Sequence, residues 1–314
     1  MASPVQTNAF SFGPYVWWYG VIEDRMDPKK AGRVRVRIFG YHPADTGKVG
    51  KSQLMWATVV TPIVSASISG VGVSPTGILP GTTVVGFFMD GPDAQTPVIT
   101  GTIPGIPARK KAALDGDGFS DPEGKYPKYP LGEPDTNRIA RNEHIDETVI
   151  GKRRQSEKKN VDAAFGDKTW NELTTDYNAQ YPYDHVRETE SGHVEEFDDT
   201  AGSERYHLYH RKGTFKEIQH DGSQVEKIVK DHYMLVLGDD YLYVKGNVQV
   251  CVDGDSHVLV KGNAFLEVKG NMKEEIHGNY DLTVDGNYTV HVKGVHSDTA
   301  DVLRKIKAPA IYLN

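Results

Sequence analysis

Residues 193–199 read His-Val-Glu-Glu-Phe-Asp-Asp, and they make the strongest acid–base candidate in the chain. Paired carboxylates such as Glu195 and Glu196 can act as general acid and general base where a cleft separates their pKa values. The turn signal Asp199-Thr200-Ala201-Gly202 follows at once. The group therefore falls on a hairpin with no cleft in view, and solvated strand and turn carboxylates are the expected reading. His207 with His210, and His291 with His296, could ligate a metal in an assembly of identical chains, because symmetry multiplies each ligand. Neither pair is His-x-His beside the C-terminal tip, so polar surface histidines account for them. No Ser-His-Asp or Cys-His arrangement stands out. The single cysteine, Cys251, provides neither an intrachain disulfide nor a cysteine-based metal site. It lies three residues before Gly254, at the odd register of a strand, as a small side chain on the surface. The residues thus predict no catalytic residue, no cofactor and no metal.

The elements that carry these side chains belong to an all-β chain. Of 314 residues, 38% are hydrophobic, low for one large globular core and suited to an elongated, surface-rich molecule. Net charge is −7, which argues against a nucleic-acid partner, since phosphate needs a basic surface. There is no apolar run long enough for a transmembrane helix, and the polar stretch Met1–Phe12 lacks the pattern of a signal peptide. With 32 glycines and 17 prolines, helix-length periodic segments are few.

The last third has the most regular pattern. Glycine returns every eight residues at Gly238, Gly246, Gly254, Gly262, Gly270, Gly278, Gly286 and Gly294. Two positions before each stands a β-branched residue: Val236, Val244, Val252, Val260, Val268, Ile276, Val284 and Val292. Four positions before, the residue is apolar in every unit but one, where it is Glu274. Side chains two apart share one face of a strand, so each octad is a short strand with one apolar face. Asn or Asp follows the glycine in seven units, and both tolerate left-handed backbone, so the glycines mark corners. About two inward side chains per unit cannot fill a core for one chain winding alone. Several identical chains around one axis can, and three walls make the simplest closed prism, which also pairs the strand edges. The pattern predicts an intertwined homotrimer with the eight β-branched residues as its core. A single-chain solenoid is the less economical alternative.

Ahead of the octads the chain divides by composition. Residues 1–107 are expected to hold an OB-type barrel of five strands, near 15–23, 33–38, 54–62, 81–89 and 96–102. In Arg33-Val34-Arg35-Val36-Arg37-Ile38 the apolar residues face the core and the three arginines face outward. Such a row could touch phosphate, but the acidic whole favours a solvated face or a protein contact. Residues 70–81 are glycine-rich without the following helix or Lys-Ser/Thr of a phosphate loop. Residues 108–185, broken by Gly and Pro, read as a linker with a short helix expected over 160–178 near Trp170. Residues 186–314 form the third part: hairpins, octads over 231–296, and a tip over 297–314 that ends in Ala308-Pro309-Ala310-Ile311-Tyr312-Leu313-Asn314.

Three segments carry a family resemblance. Gly20-Val21-Ile22-Glu23-Asp24-Arg25-Met26-Asp27-Pro28 with Gly32-Arg33-Val34-Arg35-Val36-Arg37, and Gly118-Phe119-Ser120-Asp121-Pro122-Glu123-Gly124-Lys125-Tyr126-Pro127, closely resemble the N-terminal OB domain region of the central baseplate spike proteins of T-even-like contractile-tailed phages. Glu188-Thr189-Glu190-Ser191-Gly192-His193 with Asp199–Arg205 resembles the start of the spike β-helix in that family and in the related VgrG proteins, and the octads resemble its triple-stranded β-helix. The resemblance implies a homotrimeric needle at the centre of the tail baseplate in the virion. It implies an OB domain docked on a trimeric hub protein, a PAAR-type protein at the tip, and transient passage through the host outer membrane on tail contraction. T-even relatives carry a lysozyme domain between barrel and β-helix. Residues 108–185 show no matching catalytic sequence, so the expected role is structural. A cell-wall hydrolase and a trimeric receptor-binding fibre are the alternatives. The fibre is disfavoured, because only about twenty residues follow Gly294 and they form no aromatic-rich head.

Overall fold

Alternation in Val34–Ile38 places every second side chain on one face, and that face closes a barrel. The computed structural model describes residues 15–65, 72–104, 135–142, 159–164 and 169–311. The family segment Gly118–Pro127 and most of the expected linker lie outside them. The fold is nearly all-β. Contacts divide the chain into two units, Met1–Cys251 and Val252–Asn314.

Five strands, β1 (Val16–Asp24), β2 (Val34–Ile38), β3 (Trp56–Val59), β4 (Thr83–Phe88) and β5 (Pro97–Thr102), form a closed barrel in the order β1-β2-β3-β5-β4. The β3–β5 pair is parallel and the others are antiparallel. Trp18, Ile22, Val34, Val36, Ile38, Ala57, Val84, Phe88 and Ile99 fill the interior. This is the small barrel expected from the alternation.

The arginine row departs from the expected outward face at one position. Arg37 is buried. It pairs with Glu23 and donates to the carbonyls of Pro43 at 2.7 Å and Val49 at 2.8 Å. A planar fork with five donors can tie a strand to two loops at once, which outweighs the loss of water. Arg35 lies over the Trp56 ring at 4.7 Å. Arg33 binds Asp27 at 2.7 Å. That guanidinium holds the Asp27 carboxyl far below its ordinary range, with further help from the N–H groups of Lys29, Ala31 and Arg33. All three arginines are therefore engaged within the chain.

Gly86 of β4 marks the closest internal approach. A Cβ there would stand 2.1 Å from the Val98 carbonyl oxygen and 2.5 Å from the Trp18 ring. Backbone on one side and a core indole on the other leave nothing free to move. Gly86→Ala is expected to cost about 3 kcal/mol, at the upper end for overpacking. A barrel that melts at the wild-type temperature, followed by near-ultraviolet circular dichroism of its tryptophans, would refute this.

A second sheet is a plain antiparallel meander: β8 (Asp184–Glu188), β9 (Val194–Asp198), β10 (Arg205–Tyr209), β11 (Phe215–Ile218) and β12 (Gln224–Lys227). One face is covered by an extended strap over 172–180 and by a short helix, α1 (Asp135–Ala140), through Ile139. The described residues of 160–178 do not form the helix expected near Trp170. Trp170 and Asn171 make β7, which pairs with β6 (Asn160–Val161). Beyond it Tyr177 and Ala179 are buried while Asn178 and Gln180 are exposed. A two-residue period fits an extended segment laid on a sheet; a helix would have turned these side chains to different sides.

Two of the segments that carried the resemblance meet in this unit. Arg25, just after β1, pairs with Glu190, in the turn between β8 and β9, at 2.9 Å. The barrel and the second sheet are thereby joined by an ion pair between two of those motifs.

Candidate assembly site

The octads form no sheet of their own. From 229 to 311 the backbone shows only extended segments and bends, with no strand pairing among the described residues. Bends fall on the residue pair ending in each of the eight glycines. The same eight-residue phase continues to 229–230 before them and to 301–302 after them. The periodic geometry thus reaches one unit beyond the glycine run at each end.

Glycine chemistry explains these corners differently from the expectation. The octad glycines lie outside the left-handed region, and so do the Asn and Asp residues that follow them. A Cβ added at any octad glycine would meet nothing within 4 Å of its own chain. One chain by itself does not require glycine here, so the requirement falls on what packs against it.

Every apolar octad side chain is uncovered within the chain. The β-branched residues two before each glycine are 43–54% exposed, and Leu242, Val258 and Leu266 exceed 75%. A contiguous apolar stripe of this length does not persist in water. Unpaired backbone N–H and C=O groups along it equally require partners. Both requirements point to other chains.

The sheet before the octads is built differently. Its covered face carries three cross-strand rungs, set by the register of β8 to β12. The first contains Asp184, Asp198 and Arg205. The second contains Val186, Glu196, His207, Glu217 and Val225. The third contains Val194, Tyr209 and Phe215, the apolar core of the sheet. Arg205 bridges Glu196 at 2.7 Å and Glu217 at 3.2 Å, all three side chains being fully buried. Tyr177 of the strap lies 5.0 Å over the guanidinium and donates its hydroxyl to the Ile139 carbonyl. Thr175 donates to Glu217 at 2.9 Å, and Gln219 donates to the Thr174 carbonyl. The strap is therefore fastened by hydrogen bonds, one of them to the Glu217 carboxylate, together with the apolar cluster of Ile139, Tyr177 and Ala179.

His207 sits 2.5 Å from Glu196 through Nδ1. Burial pushes the imidazole down, so it is neutral near pH 7 and donates Nδ1–H. Burial pushes Glu196 up, but the bond from His207 and the charge of Arg205 outweigh it, and the carboxyl ends below its ordinary value. A low-pKa carboxylate locked to arginine is an ion-pair anchor and a poor general acid.

These positions correct the reading of 193–199 as solvated carboxylates. Glu196 and Asp198 are buried, and Glu195 and Asp199 alone point outward. His207 is likewise interior, whereas the exposed His210 ring lies tilted against His193, with centroids 4.5 Å apart. His291 and His296 are exposed. Among the described residues no group of three or more His, Cys, Asp or Glu side chains could hold a metal ion. The buried network had a sequence signal. Val194-Glu196-Asp198 and Arg205-His207-Tyr209 each share a face with core residues, at alternate positions of predicted strands.

Comparison with known proteins follows the same division. Residues 40–186 match the family described as the Gp5 N-terminal OB domain. Residues 194–292 match the bacteriophage T4 gp5 C-terminal trimerisation domain. The chain is 41% identical over 254 residues to Protein Gp5 of Vibrio phage KVP40, covering 71% of this chain and 59% of that protein. It is 35% identical over 221 residues to the pre-baseplate central spike protein Gp5 of Enterobacteria phage T4, covering 68% of this chain and 37% of that one. It thus spans about three-fifths and under two-fifths of these relatives' lengths. With both domain matches in one polypeptide and in the same order, the chain belongs to the Gp5 family.

Proposed function

We propose that this protein is a homotrimeric central spike of a contractile phage tail baseplate, acting by mechanical puncture of the host envelope. The observation that carries the reading is the octad stretch, periodic in its bends yet uncovered in its apolar face. Three such chains wound about one axis would bury Val236 through Val292 at every second-before-glycine position and pair the free backbone edges. The trimerisation match over the same residues supports this assembly.

The barrel would seat the spike on a hub protein. Its outer face over β1 and β4 supports that assignment: Trp17 is 63% and Tyr19 58% exposed, and Phe87 packs against Tyr15 and Trp17 at 4.9 and 5.5 Å. Exposed aromatic clusters of this kind suit a protein contact. The C-terminal tip would receive a small PAAR-type cap. Domain limits near 107 and 185 are part of this proposal. A hydrolytic role is not favoured, because Glu196 of the 193–199 group is locked to Arg205 and His207 beneath the strap.

Sedimentation equilibrium tests the assembly. A mass near three chains of 34.8 kDa is expected. Gly262→Val provides a sharper check, since a Cβ at this position meets nothing within 4 Å in its own chain. We expect it to lower the thermal resistance of the trimer while leaving the barrel and second sheet folded. A monomeric wild-type protein would overturn the reading, and clearing of peptidoglycan in a zymogram would revive the hydrolase.

A further inference from the structure

β8 is an edge strand of the second sheet, and its Asp184 stands directly opposite Asp198 of β9. Both face the covered side and are 5% and 2% exposed. Directly opposed residues in an antiparallel pair hold their Cβ atoms about 5 Å apart, within reach of two short carboxyls. Neither oxygen of Asp184 has a partner, nor does Oδ2 of Asp198. Asp198 Oδ1 accepts the Thr200 N–H at 2.9 Å.

The surrounding groups do not neutralise this pair. β9 contributes Glu196 besides Asp198, β10 contributes Arg205 and the neutral His207, and β11 contributes Glu217. Arg205 binds Glu196 and Glu217 through its two terminal nitrogens, while its Nε, on the strand opposite Asp198, has no partner. The strap presents Tyr177, Ala179 and Gln180, and α1 presents Ile139, none of them charged. The charge of Arg205 opposes the rise at Asp184, but it bonds neither free oxygen and faces four carboxyls, so the two aspartates cannot both stay ionised in a dry site. A proton, a metal ion or a cation from another chain would resolve this. No three-ligand group for a metal exists among the described residues, and a proton needs no further ligand.

We propose that Asp184 and Asp198 share one proton in the folded protein, and that this O–H···O⁻ bond is a pH-sensitive fastening of β8 to β9. The proton comes from solvent, Asp184 becomes the neutral acid, and its O–H donates to the free Oδ2 of Asp198. On deprotonation both oxygens turn repulsive and the edge strand loosens. Because β8 leads the chain into the sheet ahead of the octads, the proton sets how firmly that sheet is held at its edge.

The electrostatics agree in direction. Burial first, then the charges of Glu196 and Asp198, push the Asp184 carboxyl up to about 7. An unfolded aspartate titrates near 3.9. Between these values the folded state binds the extra proton, so its stability is greatest at the acid end and falls as pH rises towards 7. Above that the loss is complete and the curve is flat with respect to this group.

The test is thermal unfolding of the full chain from about pH 5 to about pH 8, wild type against Asp184→Asn. Asparagine mimics the neutral acid. The melting temperature of the wild type should drop relative to the variant on approaching pH 7, leaving the variant a few degrees higher at pH 8. Amide exchange of 184–188, corrected for intrinsic rates, should quicken with pH in the wild type only. Parallel pH profiles for the two proteins would overturn the proposal. So would millimolar calcium raising the wild-type melting temperature at pH 8 but not that of the variant, which would make the pair a metal site. If the variant does not fold, carbon-13 titration of the wild-type Asp184 carboxyl decides: a midpoint near 7 supports the shared proton, and one near 4 refutes it.

Discussion

A chain carrying Val252→Asp together with Val260→Asp is expected to sediment as a monomer, with no heat- or detergent-resistant trimer. The two residues lie in adjacent octads, each two positions before a glycine, and each is about half exposed in the single chain. The substitution therefore costs the isolated chain little. In the proposed trimer each position faces the axis, so the double variant places two carboxylates per chain in a space shared by three chains. An unpaired charge in a dry interior costs several kcal/mol even after relaxation, and here like charges also face one another. No neighbouring octad supplies a basic residue at the same register. Lys261→Asp, one residue before Gly262 at the alternate register, is the control and should trimerise normally. Resistant trimers from the double variant would sink the inward assignment of the β-branched residues, whatever became of the family membership.

Arg205→Met should unfold the second sheet at much lower denaturant. The guanidinium is fully buried, and among the described residues it is the one cation that reaches both Glu196 and Glu217. Removing one partner from a buried ion pair leaves charge with nothing to balance it, at a cost of about 3–5 kcal/mol. Urea unfolding of the full chain, monitored at the sheet by amide exchange, reads the loss. Replacing all three, as Arg205→Met with Glu196→Leu and Glu217→Leu, removes the stranded charges too and should recover most of the stability. His207 and Thr175 would still lose acceptors, so recovery is incomplete. If Arg205→Met alone unfolds like the wild type, the network is ornamental and the strap is held by Tyr177 and Ala179.

The two experiments probe different parts of one design. The octads lack an internal core, so their stability is that of association and depends on concentration. The sheet before them is closed within the chain, by buried polar bonds and by the cluster of Val194, Tyr209 and Phe215. A trimeric coil needs three starts in a common register, and a sheet whose core is fixed by directional bonds can hold each chain's start in one arrangement. Hydrogen bonds and ion pairs specify geometry more sharply than apolar packing does.

Periodicity made the barrel strands and the octads legible in the sequence. Val34, Val36 and Ile38 alternate because one face of β2 is covered. Glycine recurs every eight residues, and the backbone bends with the same period. These are local facts, repeated along the chain, and repetition is readable without coordinates. Alternation says which side chains share a face; it does not say which face is covered. Glu196, Arg205, His207 and Glu217 were readable as one side of two hairpins, yet they lie inside only because residues 172–180 are laid over them. That strap pairs with residues some forty positions away, as Thr175 does with Glu217. The burial of Arg37 depends likewise on the carbonyls of two loops, and the unpartnered oxygens of Asp184 on a register across β8 and β9. The sequence by itself determined the barrel's alternation, the octad period and the family. Only the tertiary structure decided which charges are buried, because burial is settled by contacts far apart in the chain, and no local pattern encodes them.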